Sequence, residues 1–178
     1  MDMFGISPES YMYIRSDSNP DQEEYIQVQK ILNSSPTVYG DGMTGEVKLI
    51  RRENNTPLRL LVWKNDYGEF GGLRCTDDTV IYIIRDGNMV FCPVKDIRVG
   101  DTLPIRYKHE ISISAKIMSN SPVSYIDRYV YSFENKDGLD SMIVNDAIII
   151  LKREGEQGYE KCSRMVADWW SDVRWYCR

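Results

Sequence analysis

Short β-prone runs, each bounded by a turn signal, follow one another through most of this 178-residue chain. The clearest run is residues 79–85, which is rich in Val, Ile and Tyr. Asp86 and Gly87 follow it, a pair that tolerates the positive φ of a two-residue hairpin loop, and residues 89–94 return. Many short strands at regular spacing, separated by turn residues, indicate a mostly β sandwich or barrel-like domain.

The remaining β-prone runs are less sharply bounded. Residues 46–50 and 58–63 flank an Asn-Pro loop, and we expect them to form a hairpin. The alternation in residues 25–29 predicts a half-buried strand, with a short helix as the alternative. A polar stretch at 108–121 interrupts the strand pattern, which resumes in the runs 123–133 and 141–151.

The end of the chain changes character. From residue 158, apolar residues recur at steps of three and four, the period of one helix face. We call them the apolar stripe: Tyr159, Cys162, Val166, Trp169, Val173 and Tyr176. The sequence therefore predicts a β domain over residues 1–152 and a C-terminal amphipathic helix within residues 153–178.

The tryptophans of this segment suggest a contact surface. Trp169 lies on the apolar stripe, so we expect it to pack on the β domain, whereas Trp170 and Trp175 fall off the stripe. Aromatic residues that one packing surface cannot cover are enriched at protein interfaces. A protein partner bound through this helix is one interpretation, and a helix lying in a wide groove is the other.

Composition excludes several classes of function. The formal net charge is −5 and the basic residues are scattered, which argues against broad nucleic-acid binding. No apolar run approaches the roughly 20 residues of a membrane span, and the first residues lack the pattern of a secretory signal. We therefore expect no membrane, no nucleic acid and no small-molecule substrate, and a location in a reducing compartment such as the cytoplasm.

The cysteines and acidic pairs give no metal site. The four cysteines are far apart, and His109 is the single histidine, so neither zinc nor another cofactor is predicted. Cys75 and Cys92 sit in strand-like runs and are expected to be small apolar core residues. Asp77 and Asp78, like the acidic residues at 137–140, fall in predicted turns, where Asp bonds its own backbone.

Several segments in a fixed order carry a family resemblance. Residues 72–79 resemble the intein pattern G-x-x-x-T-x-D-H, with Thr76 and Asp78 in place, and residues 94–103 resemble the turn that follows it. Residues 5–14 are similar to the opening strand, and residues 129–133 and 142–149 to the two closing strands. Together they resemble the Hint domain of inteins and hedgehog proteins, which implies a horseshoe of short antiparallel strands.

That resemblance implies a self-splicing chemistry. In the family, a Cys or Ser attacks the carbonyl before it and shifts the acyl group onto its side chain. The Thr and His of the first pattern polarise the scissile amide and protonate its nitrogen. A closing His-Asn pair then lets the Asn side chain cyclise. The short gap between residues 103 and 123 implies a minimal domain without a nuclease.

The reactive positions are substituted in this sequence. By the resemblance, Gly5 stands at the nucleophile and Thr79 at the histidine, while Thr76 and Asp78 remain. The other departures are Ser132 for the aspartate of the first closing strand, and Ile150 and Leu151 for the closing His-Asn pair. A hydroxyl and a carboxylate alone cannot run the acyl shift, so we expect no catalysis.

Displaced reactive groups are the alternative. Ser7 or Ser10 could replace the nucleophile with His109 as its base, and Asn145 could cyclise in place of the closing Asn. A polar strand edge accounts equally for the serines. The neighbour of Asn145 is Asp146 rather than Gly, which slows such a cyclisation, and a turn residue is the interpretation that we favour.

The sequence therefore gives ranked hypotheses about function. The first is an inactive intein-like domain that serves as a structural or adaptor component of an assembly. A small acidic chain rich in Tyr, Asn, Asp and Ile suits a phage or viral virion protein, located in the host cytoplasm or the virion. The second is an autoprocessing domain with non-standard residues. The third is an unrelated β sandwich.

Overall fold

A computed structural model describes residues 5–151, except residues 17, 20, 32–33, 41–42 and 108–109; side chains at 107 and 110–113 are not described. The described part is built almost entirely of strands, with two short 3₁₀ helices at Val28–Ile31 and Val94–Asp96. The strands are β1 Tyr11–Arg15, β2 Glu23–Gln27, β3 Thr37–Tyr39, β4 Thr44–Glu53, β5 Arg59–Asn65, β6 Phe70–Cys75, β7 Val80–Arg85, β8 Asn88–Pro93, β9 Thr102–Tyr107, β10 Glu110–Pro122, β11 Tyr129–Asn135, β12 Ser141–Val144 and β13 Ala147–Ile150.

All thirteen strands belong to one antiparallel sheet. Its order is β11-β4-β3-β1-β12-β13-β7-β9-β10-β5-β6, with β2 added to β1 and β8 added to β7. The two ends of that order, β11 and β6, are brought together by Ile6, which pairs with Tyr131 on one side and Cys75 on the other. The short segment around Ile6 therefore links the two outer strands of the curled sheet.

The main core lies inside the curl. Ile6, Met12, Trp63 and Ile117 are among its fully or almost fully buried members. Alternate residues of each strand point into it, as the period of two requires. Burying many such aliphatic side chains, at roughly 1.5–3 kcal/mol each, is what opposes the conformational entropy of so many ordered loops.

Most of the sequence predictions of strands are confirmed. Strand β1 occupies residues 11–15, and β7 and β8 form the predicted hairpin around Asp86 and Gly87, which have φ of 52° and 79°. Cys75 and Cys92 are buried free thiols. Residues 25–29 are divided between the strand and the 3₁₀ helix that were the two alternatives.

The predicted hairpin of residues 46–50 and 58–63 is wrong. Strand β4 pairs with β3 and β11, whereas β5 pairs with β6 and β10. The loop between β4 and β5 is bound to the segment before β11, because the Asn54 side-chain amide donates to the carbonyl of Asp127 as well as to that of Thr56. Loop residues had suggested a tight connection, but long-range pairing determines where each strand goes.

The polar stretch at 108–121 is also corrected, since most of it is the long strand β10. Ala115 and Ile117 face the core while Lys116 and Met118 are exposed, so the period of two is present. The alternation of Ile and Ser in residues 111–114 is itself a strand signal, which the overall polarity of the stretch outweighed in the prediction. The next strand correspondingly begins at Tyr129 rather than at residue 123.

Candidate functional site

The candidate site is the place where the Ile6 segment meets the loop after β6. The backbone N–H of Ile6 donates to the carbonyl of Tyr131 at 2.9 Å, and the N–H of Ser7 donates to the carbonyl of Arg74 at 2.9 Å. Gly5 precedes this bridge, and Thr76 follows the last residue of β6. The pairing therefore fixes the backbone of Gly5 directly beside Thr76.

A continuous chain of polar groups results. The backbone N–H of Gly5 donates to Oγ1 of Thr76 at 2.8 Å, and the N–H of Thr76 donates to the carbonyl of Gly5 at 2.8 Å. Oγ1 of Thr76 lies 3.0 Å from Oγ1 of Thr79, and either hydroxyl can donate. The structure thus brings together three of the positions that the resemblance marked, Gly5, Thr76 and Thr79.

The pocket around Gly5 is closed to a side chain. A Cβ at this position would lie 2.7 Å from Cγ2 and 2.8 Å from Cβ of Val130. Val130 is fully buried in β11, and its branched Cβ is rigidly held. A cysteine or serine at residue 5 would therefore require Val130 to move, which is a steric reason for the glycine.

The hydroxyl and thiol groups around the Gly5 amide do not ionise near neutral pH. Threonine hydroxyls hydrogen bond but do not carry protons as a histidine does, and Thr79 has no exposed surface. The one thiol beside them is Cys75, which pairs with Ile6. Burial raises the pKa of Cys75 to about 12, so its nucleophilic thiolate form is scarce.

The end of β13 approaches the same place. Ile149 pairs with Ile81 in antiparallel register, and β7 begins directly after Thr79. Ile150 is buried, and Leu151 packs against the main core while its N–H donates to the carbonyl of Asp140 at 3.0 Å. The closing positions that the resemblance marked therefore carry aliphatic side chains that pack within the fold.

Two further marked positions lie at the margin. Asp78 is exposed in the turn after Thr76, which is where turn chemistry had placed it. Ser132 lies in β11, and its Oγ accepts a hydrogen bond from Nε of Arg52 at 3.1 Å.

The serines and Asn145, considered above as displaced reactive groups, form hydrogen bonds within the fold. Oγ of Ser7 and Oγ of Ser10 are 3.1 Å apart and both serines are buried. Asn145 is a turn residue with φ of 49°; its Oδ1 accepts from the N–H of Tyr11 at 2.7 Å and its Nδ2 donates to the carbonyl of Gly72 at 3.0 Å. His109 lies outside the described residues.

Sequence reasoning missed Val130 and Arg52, which wall the site. Arg52 is one of the scattered basic residues of the sequence, but its Nη2 would lie 3.3 Å from a Cβ on Gly5. No local pattern marks either residue, because both reach the site through the pairing of β4 with β11. Only the glycine at residue 5 gave a hint, since glycine permits close backbone approach.

Other predicted features fall outside what the structure describes. Trp169, Trp170 and Trp175, with the whole predicted helix, lie in residues 152–178. Among the described residues, no group of three or more His, Cys, Asp and Glu side chains is placed to hold a metal ion. A search of the same residues finds no helix with the length and apolar character of a membrane span.

The fold is that of inteins. The chain superimposes on the crystal structure of an intein from a hyperthermophile with a TM-score of 0.65 at 11% identity, covering 84% of this chain and 100% of that one. The DnaB intein from Synechocystis sp. PCC 6803 gives a TM-score of 0.60 at 15% identity, with coverage of 85% and 100%. The gp41-1 intein gives 0.56 at 11% identity, with coverage of 84% and 99%.

Sequence comparison adds no relative. No protein-family model matches the chain, and no curated protein matches it. The structural likeness spans nearly all of each intein and confirms the Hint fold, with its curled antiparallel sheet, that the sequence resemblance had predicted. At this level of identity the likeness is one of fold.

Proposed function

We propose that this chain is a non-splicing Hint domain that acts as a structural or adaptor component of a larger assembly. The observation that carries the proposal is the hydrogen bonding and the steric surroundings of the Gly5 amide. Thr76 holds it at 2.8 Å, yet residue 5 has no side chain and Val130 leaves no room for one. Acyl transfer needs a nucleophile on the residue that follows the scissile carbonyl.

The remaining groups of the site support the same proposal. Thr79 can accept or donate a hydrogen bond, but it cannot act as a proton donor with a pKa near 7. The side chains of Ile150 and Leu151 have no amide group that could cyclise. The hydrogen bonds that would hold a scissile peptide have instead a structural use, because they fasten the segment that links β11 to β6.

The experiment for inactivity is direct. The full chain is expressed between two short folded tags and incubated with and without a thiol at several pH values. We expect intact mass at all times. A fragment that begins at Gly5, or a cut after Leu151, would show that the chain processes itself and would overturn the proposal.

The adaptor role predicts a partner, and we place its contact on Trp170 and Trp175. A tagged full chain is used to capture partners from an extract of the organism that encodes it, in parallel with the double variant Trp170→Ala and Trp175→Ala. We expect the variant to lose the partner while its unfolding midpoint is unchanged. Retention of the partner by the double variant would remove the helix from the contact.

We favour a virion as the assembly, on the composition of the chain. We expect purified virions to contain this protein at a constant ratio to a major structural protein. If the protein washes away from particles in moderate salt, the virion assignment fails while the adaptor proposal is judged on the capture experiment.

A further inference from the structure

A second apolar cluster lies on the side of the sheet away from the main core. It consists of Tyr82, Ile148 and Ile150, flanked by Val80, Met89 and Phe91, and we call it the outer cluster. The rings of Tyr82 and Phe91, which are register partners, meet edge to face with centroids 4.7 Å apart. The outer cluster therefore spans β13, β7 and β8.

The strands of the outer cluster are apolar on both faces. In β7, Ile81 and Ile83 point to the main core while Val80 and Tyr82 point outward; in β13, Ile149 points inward. Antiparallel strands with one solvated face alternate apolar with polar residues, whereas strands covered on both faces read as continuous apolar runs. The sequences VIYIIR and AIII are of the second kind.

Burial agrees with that pattern. Tyr82 and Ile148 have 0% of their surface exposed and Ile150 has 6%, while the flanking residues Val80, Met89 and Phe91 are only partly buried. Side chains on a solvated outer face keep a measurable exposed area. The centre of the outer cluster is thus covered, and its rim lies toward β8.

The covering element is identified by where the chain goes. Ile150 is the last residue of β13 and itself belongs to the outer cluster, so residues 152–178 begin at the cluster's edge. A helix carrying the apolar stripe from Tyr159 to Tyr176 would be about 25 Å long at 1.5 Å per residue. Three adjacent strands about 4.8 Å apart present a narrower surface than that.

We propose that the C-terminal segment, residues 152–178, folds back over β13, β7 and β8 and buries the outer cluster beneath the apolar stripe. Trp169 is the largest side chain of the stripe, and Trp170 and Trp175 lie off it. The proposal is independent of the proposed function, because a splicing domain could carry the same cover.

The test is hydrogen exchange on the monomeric full chain. Trp169→Asp, on the stripe, is compared with Trp170→Asp, off it, by mass spectrometry. We expect exchange in peptides from residues 80–93 to rise about tenfold or more in Trp169→Asp and to stay unchanged in Trp170→Asp. Equal exchange in both variants and in the unmodified chain would overturn the proposal.

A second measurement covers the case in which Trp169→Asp does not fold. A protease site is inserted between Lys152 and Gly158, and the folded protein is cut there. We expect the released segment to co-elute with the β domain until denaturant is added, and to separate when Met89→Glu is introduced but not with the neighbouring Asn88→Glu. A segment that elutes alone from the unmodified sheet would overturn the proposal.

A second copy of the chain is the competing cover. In that case protection of residues 80–93 would increase with protein concentration, and light scattering would give twice the monomer mass. Either result, with the nicked segment free, would assign the outer cluster to a dimer interface and refute the intramolecular cover.

Discussion

The backbone N–H of Gly5 donates a hydrogen bond to Oγ1 of Thr76 at 2.8 Å, across 71 positions of sequence. The carbonyl of Gly5 accepts from the N–H of Thr76, so the two residues are joined twice. By the Hint resemblance, this amide is the one that splicing would break. Here the same contact serves to fasten the first described residue to the end of β6.

The first prediction concerns the steric wall beside Gly5. Gly5→Ala should destabilise the fold by about 1–3 kcal/mol, because the new Cβ overlaps Val130. Val130→Ala should relieve part of that cost, so that the double variant is less damaged than the sum of the single variants. Urea unfolding measures the free energies of all four proteins.

Val47→Ala provides the control for that cycle. Val47 is fully buried, as Val130 is, but it lies in β4 five positions from Arg52, the residue that pairs with Val130. Its combination with Gly5→Ala should be additive to within about 0.5 kcal/mol. Equal coupling in both cycles would contradict the local steric explanation.

The second prediction concerns the Thr76 hydroxyl. Thr76→Val keeps the shape of the side chain but leaves the Gly5 N–H without its acceptor, which should cost about 1–3 kcal/mol. Thr76→Ser retains the oxygen and should cost much less. Thermal unfolding followed by circular dichroism distinguishes them; a valine variant as stable as the serine variant would show that the bond is dispensable.

The third prediction is a partial restoration of chemistry. Gly5→Cys, Val130→Ala and Thr79→His together supply a nucleophile, the space for it and a proton donor. The introduced thiol should attack the carbonyl of Phe4, giving a thioester and a free amine at residue 5. An added thiol would then release residues 1–4 with any tag before them, which mass spectrometry detects.

Omitting each change separately controls that experiment. The combination without Gly5→Cys has no nucleophile and should stay intact in every condition. The combination without Val130→Ala should react more slowly or fold less well, since the wall remains. A triple variant that folds and never cleaves would argue that the Gly5 amide is not placed as in an active Hint site.

The fourth prediction concerns pH. Burial raises the pKa of Asp101, but hydrogen bonds from Arg85, at 2.7 and 3.0 Å, and from the N–H of Arg98 outweigh it and hold the pKa below its ordinary value. Because the folded-state pKa is depressed, this carboxylate stabilises the fold above the unfolded-state pKa of about 3.9. That contribution is lost as pH falls below about 4.

Asp101→Asn tests this by removing the titrating group. The unmodified protein should lose free energy of unfolding as pH is lowered from about 5 to about 3, and the variant should lose less over the same interval. Chemical unfolding at a series of pH values measures both curves. Parallel curves would show that the Arg85–Asp101 pair does not titrate with folding.

The fifth prediction concerns the turn between β12 and β13. Asn145→Ala places alanine, which tolerates the left-handed region less well than asparagine, at φ of 49°, and it removes both side-chain hydrogen bonds, to Tyr11 and to Gly72. We expect a loss of about 2–3 kcal/mol. Asp86→Ala is the matched control, because Asp86 has a similar φ of 52° in an exposed hairpin turn. Its loss should be about 1 kcal/mol.

Local chemistry explains what could be predicted. The pair Asp86 and Gly87 specified a hairpin through its tolerance of positive φ, and the β-branched residues of β7 specified a buried strand. The turn at Asn145 was likewise predictable, although nothing in the local sequence indicates that its side chain holds β1 and β6 together. Such signals act over a few residues and determine local conformation, not which strands pair.

Long-range pairing explains what could not. Strand β4 pairs with β11 about eighty residues away, and this pairing, together with the bridge between Ile6 and Tyr131, brings Arg52 and Val130 to the amide of Gly5. The family resemblance predicted that Gly5, Thr76 and Thr79 would meet, because the spacing of motifs stands in for three-dimensional proximity. The residues that enclose them belong to no motif, so the steric exclusion of a nucleophile was visible only in the folded chain.

The pairing of Ile6 with both Cys75 and Tyr131 limits how early in synthesis the sheet can form. During synthesis the amino-terminal segment emerges first, yet its second partner emerges only after more than a hundred further residues, and β1 must wait still longer for β12. Contacts of such high sequence separation slow folding, and unpaired strands attract other chains meanwhile. A nascent chain stalled before residue 131 should therefore be a client of chaperones, whereas the finished chain should not.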